Sequence, residues 1–393
     1  MSKRYQGGVL GVGFNPLQAP NAPTAVTATG GDASATVSFT APANVGGSAI
    51  TGYTGRSTPG DVAATASASP LAFSGLTNGT SYTFNVWALN SYGPSPAGGP
   101  SGAVTPAVLQ RALVGLSSGS IEYFSIPTTG NSAVFGNMTV SGQRWRAAMS
   151  SSTRCVFAGG DATNVIDYVT IATLGNATDF GDVTATAGDL RGCSNSTRGL
   201  MASVGGNGSN AIHYITIASL GNSTFFGQLT QNRFSCGAAA SSTRGIYAGG
   251  ELLNGSAVAD IDYVTIASTG NATFFGNLTL ARRSFVGGGS SGTRAVFGSG
   301  YTGSVYTNVI DYITIASTGN ATDFGDLTVA RANAAATSSL TRAVFTGGDN
   351  NSGATSVIDY ITIASTGNAT DFGDLTANIS VNFSASNCHG GLS

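Results

Sequence analysis

Hydrophobic and polar residues alternate along this chain in short runs, and the runs repeat. In Ile310-Asp311-Tyr312-Ile313-Thr314-Ile315 the pattern has a period of two, and it recurs from Ile121, Ile166, Ile212, Ile261 and Ile358. A period of two belongs to a strand with one side toward a core. The stretch Ile310–Thr328 returns letter for letter at Ile358–Thr376, and the marker residues Tyr123, Tyr168, Tyr214, Tyr263, Tyr312 and Tyr360 lie 45 to 49 residues apart. Each unit holds four runs. A small-residue run such as Ala332–Thr337 comes first. Arg342-Ala343-Val344-Phe345, after a Thr-Arg pair, comes second and often ends in a glycine pair such as Gly347-Gly348. The Ile-Asp-Tyr run is third, and Asp323-Phe324-Gly325-Asp326-Leu327, after a Gly-Asn turn, is fourth. Four short strands per unit of this length predict a β-propeller or a comparable array.

The strand count also predicts how the array closes. The first unit starts at Arg111-Ala112-Leu113-Val114 without its small-residue strand, and the last is followed by an orphan run, residues 379–385. The orphan should pair with the Arg111–Val114 strand. That gives six blades, closed by both chain ends, with no long open edge.

Residues 21–107 carry alternating runs without an internal repeat: Ala25–Thr29, Ala35–Phe39 and Tyr82–Ala88. Prolines bound the segment at Pro20, Pro23, Pro94, Pro96, Pro100 and Pro106. It has room for about seven strands, which predicts a β-sandwich. Residues 1–20 read as an extended arm. Lys3 and Arg4 precede Gly7–Phe14, but the apolar part is short, glycine-broken and lacks a cleavage site, so the arm is expected to be retained.

Leu76–Asn90 resembles the second half of a fibronectin type III domain. Tyr82 falls where the corner tyrosine of that family belongs, its hydroxyl returning to the preceding turn. Ala49-Ile50-Thr51-Gly52-Tyr53 is similar to the family's central strand, and Phe39 stands where many members have a tryptophan. No Arg-Gly-Asp occurs in the segment, so integrin-type adhesion is not implied. The repeats are similar in layout to kelch units. The matching features are the glycine pairs Gly159-Gly160, Gly205-Gly206, Gly249-Gly250 and Gly347-Gly348, the third-strand tyrosines, and Phe180, Phe226, Phe275, Phe324 and Phe372 where kelch has tryptophan. Arg233, Arg282 and Arg331 lie seven residues after that Phe, near the kelch arginine, whereas unit two has Ala187 there and unit six Ile379. The fold expected is all-β: an arm (1–20), a fibronectin type III-like β-sandwich (21–107) and a six-bladed kelch-like β-propeller (108–393).

Composition narrows the chemistry. Of 393 residues only 9% are charged, the net charge is −2, and 41% are hydrophobic. A basic nucleic-acid surface over the whole chain is excluded, as is a disordered polyelectrolyte. No apolar stretch is long enough to span a bilayer. Cys155, Cys193, Cys236 and Cys388 form no C-x-x-C pair, so zinc is not expected and buried free thiols are.

The acidic pairs Asp179/Asp182, Asp323/Asp326 and Asp371/Asp374 could bind calcium or act as acid and base. They follow the repeat, however, and are read as turn-solvating groups. Asp167, Asp262, Asp311 and Asp359, replaced by Glu122 and His213 in two units, are read as outward polar positions. Arg154, Arg198, Arg244, Arg294 and Arg342 could ring one rim and bind anionic sugar; the reading preferred is a repeated bridge to a neighbouring aspartate. With only His213 and His389 present, no Ser-His-Asp set can be argued. No phosphate-binding loop and no sialidase Asp-box occurs. The Asn-Ala-Thr sequons, such as that at Asn320, read as Gly-Asn turns.

Three loops after second strands vary most between units: 251–259, 301–308 and 349–356. They should gather on one face, which makes Glu251, Asn254, Tyr301, Tyr306, Asn308, Asp349, Asn350 and Asn351 the candidate ligand surface. No catalytic, cofactor or metal residue is expected. The near-identical, low-charge tandem copies after a fibronectin type III-like module resemble bacteriophage appendage proteins of tail fibre, neck or capsid. That resemblance implies a non-enzymatic virion structural protein, present in many copies and displayed on the particle surface. Its arm would hold other virion proteins and its loops would contact host surface glycan, without nucleic-acid binding or membrane insertion. The alternatives are an extracellular carbohydrate-active lyase or hydrolase, and a secreted bacterial adhesin.

Overall fold

The computed structural model describes residues 18–393 except 162, 186, 187, 206–208, 285, 286 and 393. The arm up to residue 17, Ala187 and Gly206 thus lie outside the described residues. Two compact units divide at Leu109/Gln110, two residues beyond the boundary expected. Among the described residues the chain is all-β apart from a 3-10 turn at Gly390–Leu392. No helix among the described residues is long and apolar enough to cross a membrane.

The first unit has two sheets. One orders Thr24–Gly31, Ser34–Thr40 and Leu71–Ser74; the other orders Ala63–Ala66, Gly52–Thr58, Thr83–Asn90 and Gly93–Pro94. Strand Thr83–Asn90 buries every second side chain, as its alternation requires. Phe84, Val86 and Ala88 from it meet Val37, Leu71 and Phe73 in the core. Phe39 is buried with its ring 4.7 Å from Tyr53. The Tyr82 hydroxyl accepts the Thr77 backbone N–H at 3.0 Å, so the corner tyrosine ties down its turn.

The second unit has six antiparallel sheets, here numbered I to VI. Sheet II runs Ala147–Ser150, Arg154–Ala158, Val165–Thr170, Thr178–Asp182, and sheet III runs Arg191–Ser194, Arg198–Ala202, Ala211–Thr216, Thr224–Gln228. Sheet IV runs Gly237–Ala240, Arg244–Ala248, Asp260–Thr265, Thr273–Asn277, and sheet V runs Gly287–Ser290, Arg294–Gly298, Val309–Thr314, Thr322–Asp326. Sheet VI runs Ala335–Ser338, Arg342–Thr346, Gly353–Thr362, Thr370–Ile379, with Asp349–Asn350 paired to its third strand. Sheet I takes its first strand, Asn382–Ser386, from the far end of the unit and continues Arg111–Leu116, Ser120–Ser125, Ala133–Asn137. The pairing runs from Asn382↔Leu116 to Ser386↔Ala112, so the orphan strand sits beside Arg111–Leu116 but starts three residues later than expected.

The first strands neighbour one another in the cyclic order II, III, IV, V, VI, I and back to II. Their small side chains let the backbones approach. A Cβ on Gly288 of sheet V would fall 2.2 Å from the Ala238 carbonyl oxygen of sheet IV. Hydroxyls stitch the succession: Ser150 donates to the Ser386 carbonyl at 2.7 Å, Ser338 to that of Ser290 at 2.8 Å and Ser194 to that of Ser150 at 2.9 Å.

The fourth strands are tied as well. The Gly-Asn turn of each sheet bonds to the fourth strand of the sheet before it, as in Gly319 N–H to Phe275 O and Ala321 N–H to Asn277 O. The turn asparagine accepts a further N–H, Asn320 from Asn277 at 3.0 Å and Asn131 from Asp374 at 3.0 Å. The glycine after each fourth-strand Phe makes room: a Cβ on Gly276 would lie 2.1 Å from Gly319 O. Open strand edges, which invite aggregation, are covered by this next-sheet contact.

The segment after residue 386 crosses one end of the first strands. His389 is half-buried with Nε2 3.3 Å from both the Ser150 carbonyl and the Ser194 hydroxyl, while its Nδ1 accepts the Gly391 N–H at 3.1 Å. Burial lowers its pKa to about 4. Because the folded state holds the neutral form, stability from this group is complete above the ordinary histidine value of 6.5. It is lost as pH falls from there to about 4, by at most about 3 kcal/mol. Asp189, raised to about 6 chiefly by burial, acts in the opposite sense over much of this window. The check is therefore the difference between wild type and His389→Gln in denaturant melts at pH 7.5 and 4.5. The difference should shrink or reverse toward wild type's disadvantage at pH 4.5; a pH-independent difference would refute it.

Candidate functional site

In sheets II to VI the turns joining first to second and third to fourth strands lie at one end. The loops joining second to third strands, with the lead-ins to first strands, lie at the other. The three variable loops share this second end. Isolated bridges confirm it: Glu251 pairs with Phe234, Tyr301 with Arg283 and Asp349 with Ala332, each partner being the lead-in of the same sheet. The loops are ordered hairpins, since Glu251 also bridges Ala257, Tyr301 bridges Tyr306, and Asp349–Asn350 pairs with Gly353–Ala354.

The candidate residues hold one another. Glu251 receives an ion pair from Arg283, whose guanidinium lies 5.5 Å over the Tyr301 ring. Tyr301 and Tyr306 are half-buried with ring centres 5.3 Å apart. Asp349 accepts from the Asn333 side chain at 2.9 Å. Asn254 and Asn350 cap their own turns by accepting the N–H of Ser256 and Ser352. Asn308 is half-buried and its carbonyl accepts Leu327 N–H. Asn254 and Asn351 remain exposed, beside the apolar tips Leu253 and Val305.

Two sequence readings are corrected. The third-strand aspartates are not outward. Asp167, Asp262, Asp311 and Asp359 are fully buried and paired with Arg146, Arg233, Arg282 and Arg331 at 2.9–3.0 Å, also fully buried. Arg282 shows the geometry: it donates to Asp311 at 2.9 Å, to Val309 O at 3.0 Å and to Phe297 O at 2.9 Å, and the carboxylate is also held by Thr279. A buried charge needs this kind of full complement. Where no such arginine arrives, the acid changes: His213 bonds Thr184 and Ser223, and Glu122 bonds Ser132 and Thr376. Arg146 escaped sequence reasoning because it reaches Asp167 from outside the seven-residue spacing of the others.

The Thr-Arg arginines do not bridge to aspartate. Arg154, Arg198, Arg244, Arg294 and Arg342, and with them Arg111, which follows Gln110, each lie 4.3–4.9 Å over the third-strand tyrosine of their own sheet. Each donates at 2.7–3.0 Å to a carbonyl just after the third strand of the next sheet, from Ile171 round to Ile126. They are structural cations, held by π-faces and carbonyls.

A further pair was invisible in the sequence. Asp189 is buried in a left-handed conformation (φ 60°) at the lead-in to sheet III. Its carboxyl is raised to about 6 by burial, opposed by Arg191, whose own pKa burial lowers to about 9. The four cysteines are free. Among the described residues no group of three or more His, Cys, Asp or Glu could hold a metal ion.

Residues 21–103 match the fibronectin type III domain family model, and the first unit contains such a domain. No curated protein matches the sequence.

Proposed function

We propose that the six sheets form a six-bladed kelch-like β-propeller and that the protein is a bacteriophage virion component, an appendage displayed on the particle that adheres to host surface glycan. The observation that carries this reading is a polarity of the second unit. The chain enters it at Arg111, whose backbone is bonded to Asn387 at the end of the sheets bearing the first-to-second turns. The variable hairpins lie at the other end. A ring held through its incoming chain therefore presents these loops outward, as an adhesive appendage must. Residues 1–20 would attach it to the particle.

The action proposed is binding rather than catalysis. The arginines that could have met substrate are held by tyrosines and carbonyls, and the third-strand carboxylates are buried against arginine. Catalysis needs shifted groups in mutual reach within a cleft. Asp189 is a carboxyl raised by burial, and it lies beside Arg191.

The test is made on particles of the phage that carries the gene. The protein should be found in purified virions by mass spectrometry, and gold-labelled antibody should mark it on their outside. A chain lacking residues 1–20 should stay folded and be missing from particles; normal incorporation would move the anchor to the first unit. Host polysaccharide should survive incubation with pure protein. Depolymerisation that is lost in Asp189→Asn would favour the enzyme reading instead.

A further inference from the structure

Two cavities of the second unit occupy the same place in two different sheets. In sheet II the corner between the third strand and the following turn forms an open depression of about 160 Å³, lined by Tyr168, Thr170, Thr173, Leu174, Asn176 and Thr178 among others. In sheet V the corresponding depression measures about 210 Å³; Tyr312, Thr314, Asn320 and Thr322 recur at the matching register positions, with Ser317 and Thr318 in place of Thr173 and Leu174. Neither is large enough for a drug-sized molecule, whose pockets begin at roughly 300 Å³. Both have room for one small ring.

We propose that these corners are binding sites for single rings of a neutral saccharide, repeated around the unit. This rests on the adhesive function proposed above and adds to the loop contact a second one, at the turns joining third to fourth strands. The lining is the chemistry a polyol needs. The turn asparagine spends its Oδ1 on a backbone N–H, Asn176 on Asn137 and Asn320 on Asn277, both at 3.0 Å. That bond fixes the amide and leaves Nδ2 as a donor without a protein partner. The threonine hydroxyls at 170, 178, 314 and 322 and the tyrosine hydroxyls are likewise unused by the protein. The frame beneath them is rigid: Tyr168 lies under Arg154 at 4.4 Å and edge-on to Phe180 at 6.0 Å. Pre-placed donors on a stiff frame lower the ordering cost of binding.

Charge sets the ligand class. No Asp, Glu, His, Lys or Arg lines either depression, and the nearest arginine of sheet II, Arg154, donates to the Ile217 carbonyl at 2.8 Å. An acidic sugar would find as counter-charge only an arginine behind the tyrosine ring, already engaged with a carbonyl. Exposed turns ordinarily drift in sequence, yet Ser317–Thr322 and Ser365–Thr370 are identical. One shallow site of this kind binds weakly, and several on one body, multiplied by copies on a particle, bind firmly.

The test uses the full chain on an array of neutral and acidic glycans. Wild type should bind neutral glycans. A variant with tryptophan at Thr129, Leu174, Leu220, Thr269, Thr318 and Thr366 fills the matching corner of every sheet. It should melt like wild type and bind about 100-fold more weakly. Thr178→Val with Thr322→Val, which keeps the shape, should lose a smaller factor. If the tryptophan variant binds normally, this site is wrong and the adhesive reading stands with its contact at the loops. A preference for acidic glycans overturns the site as well. No binding by wild type to any glycan overturns both. If the tryptophan variant does not fold, the valine pair decides: unchanged binding overturns the site.

Discussion

Deleting residues 382–393 is expected to turn the second unit from a cooperatively folding body into an aggregating one. Strand Asn382–Ser386 completes sheet I by pairing along Arg111–Leu116, which would become an open edge. Phe383, 2% exposed, packs 5.6 Å from Phe157 of sheet II, and losing such a ring costs about 3–5 kcal/mol. Asn382 locks sheet VI twice, donating to Thr346 O at 2.9 Å and accepting Ala335 N–H at 2.8 Å. These losses together approach the roughly 5–15 kcal/mol that stabilises a typical domain. Circular dichroism should show no cooperative melt of this unit, and gel filtration should show aggregate. Deleting only residues 387–393 should do less, because the strand remains. A 382–393 deletion that melts like the full chain would remove the argument for closure by both chain ends.

Arg282→Met is expected to destabilise the second unit by about 3–5 kcal/mol, which is a fall in Tm of roughly 10 °C for a body of this size. The substitution keeps the apolar volume but strands the Asp311 carboxylate, fully buried, with Thr279 as its remaining side-chain donor. It also orphans the carbonyls of Val309 and Phe297. The cost comes from the uncompensated charge rather than from the lost attraction, so Arg282→Met with Asp311→Leu should recover most of it. Calorimetry on both variants gives the answer. A single variant within about 0.5 kcal/mol of wild type, the usual spread for surface changes, would show that the carboxylate is hydrated or protonated.

The alternation of Thr83–Asn90 made a half-buried strand legible because that strand has a core on one side and solvent on the other. The same rule misled at Ile-Asp-Tyr. Ile310 and Asp311 are adjacent and both fully buried, since the register shifts between them and a neighbouring sheet covers each side. In a strand buried on both sides, polarity no longer reports direction. The Thr-Arg arginines failed differently. Their partners are an aromatic face and a backbone carbonyl of the next sheet, and carbonyls leave no mark in a sequence. Arg146 shows the limit of spacing arguments, because a loop of different course delivers the same guanidinium to the same place. The candidate loops were legible as the variable segments after second strands. Their bracing through Arg283, Asn333 and the Tyr301–Tyr306 pair was not.

The sequence by itself determined the all-β character, the fibronectin type III domain, the number of repeated units and the pairing of the last strand with the first, because strand periodicity and repeat counting are local properties. Tertiary structure alone decided which polar groups are buried, which cations are already engaged, and where repeated side chains line a depression. Each of these depends on what a neighbouring sheet places opposite a residue, and that distance in space is not written in the distance along the chain.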